Sequence, residues 1–123
     1  MFSRLFGWLL STKSTLPTHV DDRLTDTIDK IQTYLDDLCT LMPDDQTSNN
    51  WRGIFRRMQN ILLEHANQAG IDKTSEIWFS IHGGMGSWND YYIPHEDQNK
   101  MRELNTELEQ ICSRISALLP YLS

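Results

Sequence analysis

The chain has few residues of the kinds that announce chemistry. Its 123 residues include two cysteines, four prolines and six glycines, and no apolar run approaches the length of a membrane span. A spanning helix needs about 20 apolar residues. The Met1 to Leu10 stretch carries Phe2, Leu5, Phe6 and Leu9 at helical spacing, but only Leu5 to Leu10 are uninterrupted by a polar residue, and no small-x-small cleavage site follows. This pattern predicts a short amphipathic segment rather than a signal sequence or an anchor. Cys39 and Cys112 fall far apart on apolar stripes and form no Cys-x-x-Cys pair. They are expected to be free thiols in a reducing compartment, which places the protein in the cytoplasm.

Basic residues are also scarce. Eleven Lys plus Arg stand against seventeen Asp plus Glu, a net charge of −6. That balance argues against nonspecific binding of nucleic acid or anionic membrane, and it suits a basic partner. The acids pair up as Asp21-Asp22, Asp36-Asp37 and Asp44-Asp45. Each pair reads either as a solvated helix face or end, or as part of an acidic surface matched to a basic protein.

What is present is helical periodicity in a chain sized for one domain, with residues 1–20 read as an amphipathic segment and linker and residues 21–123 as the domain. Leu24, Ile28, Ile31, Leu35, Leu38 and Leu41 recur at steps of three and four, with Thr18 or Asp21 as a possible cap and Pro43 as the stop. Trp51, Ile54, Phe55, Met58, Ile61 and Leu62 form a second stripe, continuing to Ala66 or Ala69. Gly70 is expected as its C-terminal left-handed residue and Arg52, Arg56 and Arg57 as its outer face. Thr74 to Ile81 is predicted as a short helix capped by Thr74 or Ser75, although its β-branched content also fits a strand. Met101, Leu104, Leu108, Ile111, Cys112, Ile115, Leu118 and Leu119 mark the last helix, between Pro94-His95-Glu96-Asp97 and Pro120. The predicted fold is all-α: a small antiparallel helical bundle with a glycine-rich loop before the last long helix.

That loop holds half of the glycines within four residues, at Gly83, Gly84 and Gly86, followed by Ser87-Trp88-Asn89-Asp90-Tyr91-Tyr92. It lacks the Gly-x-x-x-x-Gly-Lys spacing of a phosphate-binding loop, the Gly-x-Gly-x-x-Gly of a dinucleotide loop and the Gly-x-Ser-x-Gly of a serine nucleophile. His82, Asp90, His95 and Glu96 cluster nearby, but the chain has no His-Glu-x-x-His motif and no second ligand pair. No catalytic residue, metal or cofactor is therefore expected. The glycines and Asn89 read as a tight reversal, with Trp88 as a plug for the bundle end. Tyr91 and Tyr92 read as amphipathic contacts of the kind enriched at binding hot spots.

Gly83-Gly84-Met85-Gly86-Ser87-Trp88-Asn89-Asp90 resembles the signature of a small bacterial family with the pattern Gly-Gly-Met-Gly-Ser-aromatic-Asn-Asp, over Leu62 to Leu119. The residues after Asp90 are usually aliphatic in that family, whereas here they are Tyr91 and Tyr92. Proteins of this size and architecture look similar to the immunity proteins encoded beside bacterial toxins, including those of contact-dependent inhibition. The resemblance implies a non-enzymatic protein that neutralises a cognate, basic, nuclease-type toxin domain by covering its active or substrate-binding surface. The partner-binding residues are then Asp21, Asp22, Asp36, Asp37, Asp44, Asp45, Trp88, Asp90, Tyr91 and Tyr92. Two alternatives are a small ligand- or metal-binding module using His82, Asp90 and His95 at the loop, and an adaptor that dimerises through Phe2, Leu5, Phe6 and Leu9.

Overall fold

The computed structural model describes residues 22–82 and 87–120. The N-terminal amphipathic segment, the proposed caps Thr18 and Asp21, and the glycines Gly83, Gly84 and Gly86 lie outside the described residues. Among the described residues four helices run in order: α1 (Asp22–Leu41), α2 (Gln46–Glu64), α3 (Gln68–Ser80) and α4 (Gln98–Leu118), with a 3₁₀ turn at Trp88–Asp90. No strand occurs among the described residues. The protein is an all-α helical bundle.

The periodic residues form the core. Ile28, Ile31, Leu35 and Leu38 of α1 meet Phe55, Met58 and Leu62 of α2 and Leu108, Ile111 and Ile115 of α4, all buried. α1 packs against both α2 and α4, and α3 packs against α2 and sends the Trp78 indole N–H to Ser116 Oγ of α4 at 3.0 Å. The α1–α2 pair is antiparallel, as three successive contacts between them show. Gln32 and Gln59 each donate a side-chain amide to the other's backbone carbonyl, at 3.0 and 3.2 Å. Arg56 pairs with Asp36 at 2.7 Å, and Arg52 Nε donates to the Cys39 carbonyl at 3.0 Å. As numbers rise on α1 they fall on α2.

Three helix starts have side-chain caps. Asp45 accepts from the Ser48 N–H, Asn67 from the Gly70 N–H, and Asp97 from the N–H groups of Asn99 and Lys100. Such caps satisfy backbone donors that have no partner within the helix. The end of α1 is capped from outside. Arg52 also donates to the Met42 carbonyl at 2.7 Å and the Pro43 carbonyl at 3.1 Å. A guanidinium suits the negative end of the helix dipole. Arg52 is therefore half-buried and structural rather than part of an outer face; Arg56 and Arg57 are exposed, as the stripe predicts.

Two expectations around Gly70 are corrected. α2 stops at Glu64, with the His65 N–H returning to the Ile61 carbonyl at 2.8 Å. Gly70 instead sits in the first turn of α3, where a Cβ would lie 1.8 Å from the His65 carbonyl oxygen. The glycine allows the chain to fold back against the end of α2 rather than closing that helix. Thr74 and Ser75 are not caps either. They are fully buried inside α3, which begins well before them at Gln68. Its inward residues are Gly70, Ile71, Thr74, Ser75 and Trp78, a helical spacing in which only two are large and apolar.

Candidate functional site

Trp88 anchors the region that follows α3. Its side chain is only 4% exposed. The ring meets Trp51 and Phe55 of α2 edge-on, with centroids 5.3 and 4.9 Å away. Its indole N–H donates to Cys112 Sγ on α4 at 3.3 Å. Trp88 therefore serves as the internal plug between α2 and α4, with an edge on the groove described below. Such edge-to-face pairs add about 0.5–1.5 kcal/mol beyond burial.

The remaining loop residues are fixed around this plug. The Trp88 N–H donates to the Ile81 carbonyl at 2.8 Å and the Tyr91 N–H to the Trp88 carbonyl at 3.0 Å. Asn89 Nδ2 donates to the His82 carbonyl at 2.6 Å, closing the segment on itself. Tyr91 stacks on Trp88 at 4.8 Å with 10° between the planes, and its hydroxyl lies 2.6 Å from that of the fully buried Ser48. Asn105 of α4 holds the next residues. It accepts from the Ile93 N–H at 2.8 Å and donates to the Ile93 and Met101 carbonyls.

Tyr92, held between these two fixed neighbours, is 62% exposed. Tyr92 and Leu63 are the large apolar side chains most open to solvent among the described residues. Beside Tyr92 runs an open groove of about 620 Å³ between the loop and α4, bordered by Asn89, Tyr91, Glu109, Cys112 and Ser113. Burial pushes the Cys112 thiol up to about 11, helped by the nearby Glu109 charge and opposed by the indole hydrogen bond. The thiol is protonated at neutral pH and is a poor nucleophile. Burial also raises the Tyr91 phenol, against the hydrogen bond to Ser48.

The acidic residues do not gather into one site. Asp22 is exposed at the start of α1, and Asp90 is exposed on the 3₁₀ turn. Asp44 accepts from Asn49 Nδ2 at 2.9 Å. Asp45 is the α2 cap, and the Ser48 backbone hydrogen bond holds its carboxyl below the usual range. Asp36 is paired with Arg56. The Asp37 carboxyl is raised, first by desolvation and then by Asp36 and Glu107. It borders a second groove, of about 470 Å³, where Glu103 and Glu107 alternate with Arg102 and Arg114. Asp21 lies outside the described residues.

The metal alternative has no assembled ligand set among the described residues. His82 Nδ1 donates to the Trp78 carbonyl at 2.6 Å, and His95 Nδ1 accepts from the Asp97 N–H at 3.0 Å. The Nδ1 atom of each ring is thus engaged with nearby backbone. No helix among the described residues is long and apolar enough to cross a membrane. Comparison with protein-family models, curated proteins and solved structures finds no match to this chain.

Ser48, Asn105, Glu109 and Cys112 complete the region, and nothing in the loop motif points to them. A signal does exist for two of them. Ser48 continues the Trp51, Phe55, Met58 stripe one step toward the N-terminus, and Asn105 stands on the stripe between Met101 and Leu108. A polar residue on an apolar face is expected to hold something specific.

Proposed function

We propose that this protein binds a basic protein partner through the face that displays Tyr92, and acts by covering that partner's surface rather than by chemistry of its own. Following the family resemblance, the partner is a toxin domain of nuclease type, and the protein is its cytoplasmic immunity factor. One observation carries the reading: an exposed tyrosine is held between two clamped residues. Tyr91 is stacked on Trp88 and bonded to Ser48, and Ile93 is pinned by Asn105. Ordering a loop on binding costs affinity, and a ring already held in place avoids most of that cost. Tyrosine at such positions is enriched among interface residues that dominate affinity. The net charge of −6 supports a basic partner, since opposite charge accelerates encounter.

The test is co-expression with the product of the neighbouring gene. The proposal expects a stoichiometric complex at moderate salt and survival of cells that otherwise die from that product. Failure to bind and failure to protect would together overturn it.

A further inference from the structure

We infer that the groove beside Tyr92 is a receptor for an arginine side chain of the basic partner, with Glu109 as the counter-charge and Tyr92 as the aromatic wall. The inference rests on the binding reading above and names what the partner must present.

The polar groups around the groove decide its chemistry. Most of its side-chain N–H donors are already used inside the protein. The Trp88 indole N–H is given to Cys112, the His82 Nδ1 proton to the Trp78 carbonyl, and the Asn105 amide to the carbonyls of Ile93 and Met101. Asn89 gives one Nδ2 proton to the His82 carbonyl and keeps its second N–H and its Oδ1 acceptor. The hydroxyls of Ser113 and Tyr92 can accept as well as donate. Glu109 adds a carboxylate, and no Lys or Arg lines the groove among the described residues. The result is a cleft poor in N–H donors, rich in acceptors, of one negative charge, and walled by tyrosine.

A guanidinium is the complement to that set. It carries five N–H donors and no acceptor, it is always charged, and its plane stacks on aromatic rings. A lysine ammonium brings fewer donors and a more tightly held hydration shell. Phosphate groups and nucleic acid offer acceptors to a site that already has them. The groove bordered by Asp37 differs from this one in that two guanidiniums, Arg102 and Arg114, already line it beside three carboxylates.

The test needs no partner. Acetyl-Gly-Arg-Gly-amide is titrated into the isotopically labelled full-length protein and followed by NMR, with the Trp88 indole N–H as the groove's reporter and those of Trp51 and Trp78 as references. Saturable shifts at Trp88, Tyr92 and Glu109 are expected, together with little response to the citrulline analogue, which keeps the shape but not the charge. E109Q and Y92A lie on the surface and are expected to keep the wild-type spectrum elsewhere while weakening the peptide by about fivefold each. Absence of saturable shifts, equal binding of the citrulline peptide, or unchanged binding by E109Q would overturn the inference. A protein partner that binds E109Q as tightly as wild type but is weakened by Y92A would overturn the groove's role while leaving the Tyr92 binding face standing. A partner that never binds, with the arginine peptide still recognised, would do the reverse.

Discussion

Trp88 separates two roles that neighbouring aromatic residues share in this loop. Removing it by Trp88→Ala empties the junction between Trp51, Phe55 and Cys112, and a loss of about 3–5 kcal/mol is expected in urea unfolding. Tyr92→Ala, on the same loop but exposed, is expected to leave the midpoint unchanged. Tyr91→Phe tests the bond to Ser48. It strands a fully buried hydroxyl and should cost about 1–3 kcal/mol, most of which Ser48→Ala in the same chain should restore. Thr74 and Ser75 hydroxyls are buried without a hydrogen-bond partner among the described residues. Thr74→Val keeps the shape and removes that unmet group, so its thermal midpoint should rise. The thiol of Cys112 titrates at about 11 when folded, against 9.0 in the open chain. A raised folded value means that the native state holds the proton more tightly. Its contribution is complete below pH 9.0 and is lost as pH rises toward 11; Cys39 and Tyr91, also raised mainly by burial, act in the same direction. Stability measured across this range should be flat to about pH 8 and fall beyond it.

Helix ends are where residue chemistry becomes an element's length. Arg52→Ala exposes the carbonyls of Cys39, Met42 and Pro43 at the end of α1 at once, and about 2 kcal/mol should be lost. Arg52→Lys should recover only part of it, since an ammonium cannot fork to three carbonyls. Both are read from denaturant midpoints. The long helices are legible in the sequence because they bury one regular stripe of large apolar residues: α1 stops at Leu41, just short of Pro43, and α4 at Leu118, just short of Pro120. α3 is longer than its apolar pattern predicts, for a physical reason. Glycine and two small hydroxyl residues occupy much of its inner face, so the apolar spacing is clear only from Ile77 and Trp78 onward. A glycine after an apolar stripe most often closes a helix, whereas the close approach of the His65 carbonyl explains why Gly70 lies inside the next one.

At the scale of the molecule, the glycines and aromatic residues of the loop mark it as unusual in the sequence, but its division of labour is not written there. Sequence order places Trp88, Tyr91 and Tyr92 together; only packing shows that one ring lies inside, one is stacked half-way and one faces solvent. The acidic pairs are similarly visible as charge, while their employment is not: Asp45 caps a helix and Asp36 holds Arg56. The negative charge should act mainly on encounter. Association with a basic partner is expected to slow as ionic strength rises above the point where the Debye length falls below about 10 Å, with a much smaller change in dissociation rate. Stopped-flow mixing at several salt concentrations would separate the two.

The most direct measurement is the affinity of the neighbouring gene's product for the wild-type protein, for Y92A and for D36N/D37N, by calorimetry at one moderate salt concentration. If the Tyr92 face is the binding surface, Y92A should weaken the complex by about 30-fold or more, the loss of a typical hot spot, while D36N/D37N changes it only slightly. Equal binding by Y92A and wild type, with the loss appearing in D36N/D37N instead, would place the interface on α1 and contradict the account.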